Sequence, residues 1–496
     1  MALDKTFFED LEARIPKGKV RTRFAPSPTG YMHVGNLRTA LYTWLIARHA
    51  DGTFILRIED TDQGRLVEGA TDVIYRTMKE CHLDHDEGPD VGGPTGPYIQ
   101  SERRDLYLPY AQLLVEKGAA YYCFCEKAES EEDSGEFDRA DDPCRNLSEE
   151  EVAANLAAGK PYVIRQRIPH EGTTTFHDVS FGDITVENKT LDDQVLLKRD
   201  GLPTYNFANV VDDHLMGITH VVRGSEYLSS APKYNLLYEA FGWEVPTYVH
   251  CSPVMRDQHN KMSKRHGDPS YEDLLEQGFL SEAVVNYVTL LGWSPRGAYA
   301  EREFFTLKEL SEIFELGGIS KSPAIFDLEK LKYFNANYLR ALSPEAFYAG
   351  ALPYLRRAIR SEQIDLKLVA PLVQPRCDTW LDIAPQVDFF DALPEYSNQL
   401  YCHKKMKTDE ETSKEALELV LPVLEKLGAW TYDAIHDALI GLAQHLELKN
   451  GRILWPVRTA LSGKAVTPGG AVELCQLLGR DESLRRIRRG IAQLTR

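Results

Sequence analysis

Residues 20–36, VRTRFAPSPTGYMHVGN, decide how the first part of this chain folds. The first five residues alternate apolar or threonine side chains with two arginines, which is the period of a short strand. The prolines of APSPTG then end ladder pairing, and the next segment, LRTALYTWLIARH, has apolar residues at helical spacing. We therefore predict a strand, a turn and a helix, with His33 and Asn36 three residues apart near the helix N-terminus.

A helix that starts at the carboxyl end of a parallel strand is a site for anions. Gly35 removes a side chain that would block a nucleotide, so this turn predicts a phosphate site; the simpler interpretation is that His33 only caps the helix. A second candidate is NKMSKRHGD at residues 260–268, where Lys261 and Lys264 form either a solvated loop or a cationic one. Together the two motifs suit ATP chemistry in which cations neutralise phosphate charge.

Composition limits the class of protein. The chain has 496 residues, too many for one hydrophobic core, and 43% of them are hydrophobic. No run of eighteen apolar residues predicts a membrane span, and the start lacks an apolar signal core. The eight cysteines follow no disulfide-scaffold pattern, so we expect a cytoplasmic protein.

The net charge of -18 is a weak argument against a nucleic-acid partner, because a binding face is local whereas net charge averages over the whole surface. The C-terminal SLRRIRRG places four arginines together, either as a basic face or as a solvated helix end: Arg485, Arg486, Arg488 and Arg489.

The sequence pattern changes along the chain. Strand-like and helical runs alternate from about residue 20 to 118, which predicts a parallel α/β sheet. Residues 119–192 contain aromatic, cysteine-containing and acidic stretches and read as an insertion, after which the first pattern resumes. From about Leu307 onward apolar residues recur at three and four, which predicts a helical region.

Several motifs together resemble a known family. HVGN and KMSKR are similar to the two signatures of class I aminoacyl-tRNA synthetases, although Asn36 and Arg265 replace the last residue of each. With RFAPSPTG, RIEDTD, DEGPDVGGPTGPYIQSER and PTYNFANVVDDHLMGITHVVRG, their order and spacing resemble bacterial-type glutamyl-tRNA synthetases over nearly the whole chain.

The resemblance implies an α/β fold: a Rossmann-type parallel-sheet catalytic domain with an α+β insertion, then an all-α C-terminal anticodon-binding region. The resemblance also implies the domain bounds. An N-terminal extension covers residues 1–19, and we assign it no function; the catalytic domain covers 20–118 and 193–255. An inserted acceptor-end-binding domain covers 119–192, a stem-contact region with the KMSKR loop covers 256–335, and a helical anticodon-binding region covers 336–496.

The implied activity is that of a glutamate–tRNA ligase using ATP with Mg²⁺ and a glutamyl-adenylate intermediate. By resemblance, the catalytic residues are His33, Lys261 and Lys264. The ATP-binding residues are Pro26, Thr29, Gly30, His33, Gly35, Asn36 and Lys264. The glutamate-binding residues are Arg23, Ala25, Ser27, Glu59, Tyr205, Asn209 and Arg223.

The chemistry of the glutamate set agrees with this resemblance. Glu59 can pair with the substrate ammonium, while Arg23 and Arg223 can bind its side-chain carboxylate through forked charged hydrogen bonds. For each arginine alone a structural ion pair is the usual role, and only the joint match favours binding.

Three cysteines resemble a zinc site that some family members carry in the insertion: Cys123, Cys125 and Cys144. A closed zinc site needs four ligands, and Asn146 lies where relatives offer a histidine. Asp141, Asp142 or a water could complete the set, with free thiols as the alternative. We expect purified protein to contain well under one zinc per chain.

The implied partners are L-glutamate and tRNA(Glu), without a membrane, for a monomer. Whether tRNA(Gln) is also charged stays open, because anticodon discrimination can depend on one or two side chains. Two other classes are a nucleotidyltransferase that adenylates a small metabolite, which would be much shorter, and a non-catalytic tRNA-binding paralogue, which would not need His33, Lys261 and Lys264.

Overall fold

The computed structural model describes residues 5–62, 64, 66–125, 142–262 and 267–495. Their strands are β1 Arg21–Phe24, β2 Thr53–Leu56, β3 Ala120–Cys123, β4 Val163–Gln166, β5 Thr173–Asp178, β6 Gly182–Glu187, β7 Val195–Leu197, β8 His220–Gly224, β9 Thr247–Cys251, β10 Val254–Met255 and β11 Ala324–Ile325.

The α-helices before residue 320 are α1 Lys5–Glu12, α2 Val34–His49, α3 Ala70–Glu80, α4 Arg104–Glu116, α5 Glu149–Ala157, α6 Tyr205–Leu215, α7 Ala231–Phe241, α8 Tyr271–Glu276, α9 Ser281–Thr289 and α10 Leu307–Ile313. The later helices are α11 Leu328–Ala341, α12 Pro344–Ala358, α13 Leu366–Val373, α14 Ile383–Val387, α15 Glu410–Glu425, α16 Tyr432–His445, α17 Asn450–Ser462, α18 Ala471–Leu478 and α19 Arg480–Leu494.

The chain divides into two compact units. The first comprises residues 1–274 and 284–327, and the second comprises residues 275–283 and 328–496. The described part of the second unit after residue 328 contains helices and turns and has no β-strand. The predicted fold class, an α/β catalytic region followed by a helical region, is confirmed.

The main sheet of the first unit has six strands in the order β2-β1-β8-β9-β5-β6. The first four are parallel, and the antiparallel hairpin β5–β6 joins the edge of β9 through Asp178 and Tyr248. This hairpin lies within residues 119–192, yet it extends the main sheet. The other strands flanking the predicted insertion form a separate antiparallel sheet in the order β3-β4-β7.

Strand β1 lies at the centre of the parallel sheet and is buried along its whole length, arginines included. Arg21 forms an ion pair of 2.8 Å with Glu87, and Arg23 one of 2.9 Å with Asp213. The alternating sequence of β1 therefore does not mark a solvated face, because its charged side chains are buried and paired.

The described part of the N-terminal extension, residues 5–19, packs within the first unit. Half-buried Phe8 of α1 meets the ring of Tyr110 edge-on, with centroids 5.0 Å apart. At the end of α1, the Glu12 carboxylate lies 2.7 Å from Nε2 of His214, whose ring stacks on Trp243 at 3.7 Å. The extension is therefore part of the folded core around α4, α6 and α7.

The arginine cluster near the C-terminus is partly structural. Arg486 is fully buried and donates to the backbone oxygens of Phe389, Phe390 and Leu461, with Glu482 as its ion-pair partner. Of the four arginines, Arg485, Arg488 and Arg489 are exposed, so the basic face is smaller than the sequence pattern suggested.

We also find, over the described residues, no helix that combines the length and the apolar character needed to cross a bilayer.

Candidate active site

A cavity of about 420 Å³ opens at the carboxyl ends of β1 and β8, beside the N-terminus of α2. Strand β1 has β2 on one side and β8 on the other, so the strand order reverses at this point. Open α/β sheets bind ligands at such a reversal. Twelve of the predicted site residues line it: Arg23, Ala25, Pro26, Ser27, Thr29, His33, Gly35, Asn36, Glu59, Tyr205, Arg223 and Lys261.

Three predicted residues are placed differently. Lys264 lies outside the described residues. Gly30 shapes the turn with a φ of +124° but does not line the cavity. Asn209 is 2% exposed and lies behind Arg23; with its amide oriented to suit both neighbours, its oxygen accepts from Arg23 at 3.3 Å and its nitrogen donates to Asp213 at 3.0 Å.

His33 caps helix α2 and lines the cavity at the same time. Its Nδ1 accepts a hydrogen bond of 3.0 Å from the backbone N–H of Gly35, so the neutral ring carries its proton on Nε2. A Cβ on residue 35 would lie 3.2 Å from that Nδ1. The glycine therefore makes room for the capping ring, a reason that differs from the predicted approach of a nucleotide.

Lys261 reaches the cavity from a tight turn after β10. The Asp257 carboxylate accepts from the backbone N–H groups of His259 and Asn260 at 2.8 and 2.9 Å, and Arg256 N donates to Asn260 O at 2.8 Å. This exposed turn brings a cation to the cavity.

Four charged groups form a buried chain along one wall. Asp213 Oδ1 accepts from Arg23 Nε at 2.9 Å and from Arg57 Nη1 at 2.8 Å, and Arg57 Nη2 lies 2.9 Å from Glu59 Oε1. Burial opposes ionisation, yet the two arginines hold the pKa of Asp213 below its usual value. The chain fixes Arg23 and Glu59 at the cavity wall.

Glu59 keeps one oxygen for a ligand. It is 3% exposed, and its Oε2 has no hydrogen-bond partner within the described part of the chain. Burial raises the pKa of Glu59, with Arg57 and Arg23 acting against that shift. A cation in the cavity would stabilise the ionised form further.

Arg223 presents to the same cavity a positive charge without an ion-pair partner in the described residues. Its guanidinium lies 4.5 Å from the ring centre of Tyr234 and 5.3 Å from that of Tyr248. Its Nε donates to Nε2 of His250 at 3.0 Å, and its Nη2 has no partner among the described residues. Glu226 lines the same cavity, but no ion pair between Glu226 and Arg223 is found in the described part of the chain.

Comparison with known proteins decides the family. Residues 19–333 match the family described as tRNA synthetases class I (E and Q), catalytic domain, and residues 346–491 match an anticodon binding domain. The chain belongs to the class I tRNA synthetases. The resemblance drawn from the motifs is thereby confirmed.

This synthetase is similar to proteins named glutamate–tRNA ligase. The Clostridium botulinum protein is 59% identical over 483 residues, covering 96% of this chain and 99% of that one. The Clostridium novyi protein is 59% identical over 481 residues, with coverages of 96% and 98%. A crystal structure of a glutamate tRNA ligase from Elizabethkingia meningosepticum in complex with its amino acid matches with a TM-score of 0.85 at 34% identity, covering 96% of this chain and 100% of that one.

Sequence reasoning missed several residues of the synthetase site. Arg38 lines the cavity and is anchored by a 3.0 Å bond to Leu291 O. Asp213 and His250 bond to Arg23 and Arg223, the two predicted arginines of the cavity, from distant segments of the chain. Only Arg38, which follows the turn directly, offered a local signal.

The three predicted cysteines of the synthetase come together with an aspartate. The ligand atoms of Cys123, Cys125, Cys144 and Asp142 all lie within 4.8 Å of one another. The Sγ atoms of Cys125 and Cys144 are 3.6 Å apart, and Asp142 Oδ1 lies 3.8 Å from Cys123 Sγ and 3.9 Å from Cys125 Sγ. Of the completions that the sequence left open, Asp142 lies at the cluster, and Asp141 is outside the described residues.

Proposed function

We propose that this synthetase is a glutamate–tRNA ligase. The observation that carries the proposal is the complementarity of the cavity to glutamate, which has one ammonium and two carboxylates. Glu59 Oε2 suits the ammonium, and Arg223 supplies a guanidinium with no carboxylate partner among the described residues. Arg23 adds a second guanidinium to the lining of the cavity. The names of relatives at 59% identity agree with this assignment.

The proposed reaction has two steps. The α-carboxylate of glutamate attacks the α-phosphorus of ATP, which brings Mg²⁺ with it, and pyrophosphate leaves. A terminal ribose hydroxyl of tRNA then attacks the acyl carbon and releases AMP. Catalysis rests on positioning and charge, since the site contributes cations and helix N–H groups to phosphate oxygens. Within the site, the Nε2–H of His33 and the ammonium of Lys261 are the donors, with Lys264 as the predicted third.

The nucleic-acid partner follows from the helical unit. We propose that the region matching an anticodon binding domain, residues 346–491, binds the anticodon of tRNA(Glu). We also propose that the enzyme acts as a cytoplasmic monomer. The eight cysteines all lie in described segments and form no disulfide, which supports a reducing compartment.

The function is tested by charging assays with purified tRNA(Glu) and tRNA(Gln). We expect glutamate to be attached to tRNA(Glu), and ATP–pyrophosphate exchange with glutamate to require tRNA. Charging of tRNA(Gln) as well would define a non-discriminating enzyme. Binding of tRNA without any exchange or charging would instead identify a non-catalytic paralogue.

We further propose that the cysteine cluster holds a structural zinc ion. Tetrahedral Zn²⁺ with Zn–S bonds of about 2.3 Å spaces two sulfurs by roughly 3.7 Å, close to the 3.6 Å between Cys125 and Cys144. Asp142 Oδ1 lies 3.8 and 3.9 Å from Cys123 and Cys125 Sγ, and all four ligand atoms lie within 4.8 Å of one another. Outer contacts support the set, because Tyr121 donates to Asp142 Oδ2 at 2.7 Å and Phe124 N donates to Cys144 Sγ at 3.3 Å. This proposal departs from the low zinc content expected from the sequence, because Asp142, one of the completions considered there, lies beside the three thiols.

Zinc content gives a direct test. We expect elemental analysis after dialysis to find close to one zinc per chain in the wild type and far less in Cys125→Ala. The control is Cys402→Ala, because Cys402 is exposed and lies outside the cluster. A zinc content well under one in the wild type would reject the metal site and leave the three thiols free.

A further inference from the structure

We propose that Asp178 and His250 form a positioning pair that fixes the Arg223 guanidinium for the carboxylate of glutamate. The inference rests on the proposed function, and it assigns a role to two residues that touch neither the cavity nor the reacting atoms. Neither residue belongs to the motifs that identify the family. Both are buried completely, and Arg223 is 5% exposed.

The pair is built into neighbouring strands of the main sheet. Arg223 on β8 stands directly opposite His250 on β9, and Asp178 ends β5 on the far side of β9. Arg223 Nε donates to His250 Nε2 at 3.0 Å, and His250 Nδ1 lies 2.7 Å from Asp178 Oδ2. A continuous hydrogen-bonded line thus crosses three strands and ends at the substrate arginine.

The carboxylate of Asp178 is held in place by backbone donors. Its Oδ1 accepts from Ser180 N and Phe181 N, each at 2.8 Å, and its Oδ2 accepts from His250 N at 3.0 Å. Although burial acts in the opposite direction, the hydrogen bonds from His250 and Phe181 lower the pKa of Asp178. The group is therefore an anchored acceptor.

That acceptor selects one tautomer of His250. Because Asp178 can only accept, Nδ1 carries the proton and Nε2 presents its lone pair to the Nε–H of Arg223. Burial lowers the pKa of His250, and the adjacent guanidinium lowers it further against the effect of Asp178 and Glu226. The neutral ring orients the arginine and leaves its positive charge uncompensated for the substrate.

The aromatic rings around Arg223 do not by themselves fix the orientation of its guanidinium. Tyr234, Tyr248 and Tyr227 surround the guanidinium at 4.5–5.4 Å, but ring faces hold a cation without fixing its rotation. The bond to His250 sets the direction of the fork at the cavity wall, where Nη2 has no partner among the described residues. Loss of that bond should affect glutamate far more than ATP.

Two substitutions of His250 test the role of its Nε2 as the hydrogen-bond acceptor for Arg223. His250→Leu removes both polar atoms of the ring, whereas the amide of His250→Gln can place an oxygen near the former Nε2. We expect tRNA-dependent ATP–pyrophosphate exchange to show a KM for glutamate raised about tenfold or more in His250→Leu and partly restored in His250→Gln, with the KM for ATP unchanged in both.

Asp178→Asn provides an independent variant. Its amide oxygen can keep the bonds from residues 180 and 181, while its NH₂ donates to Nδ1 and moves the ring proton to Nε2, facing the Arg223 donor. We expect the same glutamate-specific rise in KM. Thermal unfolding of each variant, followed alongside, identifies any that fail to fold.

The outcomes separate this inference from the proposed function. A wild-type enzyme that activates no glutamate would overturn the proposed function itself. A wild type that activates glutamate, with equal KM values for glutamate in His250→Leu and His250→Gln or with ATP and glutamate affected alike, would overturn the positioning pair. If His250→Leu does not fold, Asp178→Asn provides the test. A KM for glutamate that rises while the KM for ATP stays unchanged supports the positioning pair, and equal changes in both overturn it.

Discussion

Replacing Arg223 by glutamine is expected to lower kcat/KM for glutamate by about 10²-fold or more, while glutamine as substrate loses much less. Glutamate and glutamine have nearly the same shape, so a pocket separates them by charge and hydrogen-bond direction. Removing a charge-assisted pair from a desolvated site costs roughly 2–5 kcal/mol. Arg223 is buried, stacked among aromatic rings and without an ion-pair partner in the described residues, which makes its charge available to the substrate.

Steady-state charging with each amino acid measures the effect, and thermal unfolding serves as the control. Because Arg223 forms no ion pair within the described chain, its replacement leaves no buried carboxylate unpaired, and the fold should persist. Equal losses for both amino acids, or a nearly unchanged glutamate reaction, would show that Arg223 does not determine specificity. Arg23 would then become the better candidate.

Replacing Asp213 by asparagine is expected to lower the free energy of unfolding by about 3–5 kcal/mol, because two buried guanidinium groups would lose their shared carboxylate. Arg23 and Arg57 are 3% and 0% exposed, and both donate to Asp213 Oδ1. Urea unfolding at pH 7 measures the change. The control is Asp183→Asn, since the Asp183 side chain is 75% exposed in a surface ion pair and should matter far less.

The sign of the pH dependence follows from the lowered pKa of Asp213. Its ionised form is favoured in the folded state, so its contribution is fully present above the pKa of the unfolded chain, near 3.9. The contribution is lost as pH falls through the lower folded pKa. The difference in stability between wild type and Asp213→Asn should therefore shrink only in strong acid; a constant difference down to that range would contradict this origin.

Local patterns in the sequence predicted the elements that carry the site. Strand β1, the turn and helix α2 follow from alternation, prolines and helical spacing within residues 20–49, and His33 and Asn36 lie at the N-terminus of α2 as their spacing predicted. Such features depend on neighbours a few residues apart, and one sequence contains them fully.

The residues that orient the site could not be found in this way. Asp213 meets Arg23 across 190 positions, and Asp178 meets His250 across 72. Each looks like an ordinary strand or helix residue locally, and only the order of strands in the sheet brings it to its partner. The hairpin β5–β6 was assigned to the insertion for the same reason: its sequence does not indicate which sheet it joins.

The central position of β1 also affects the order in which the protein can fold during synthesis. Its first partner, β2, ends at Leu56, whereas its second, β8, ends at Gly224. The roughly 170 residues between them take on the order of ten to thirty seconds to translate. Throughout that interval one edge of β1 has no strand beside it, and its two arginines are the charged side chains that discourage pairing with a wrong strand.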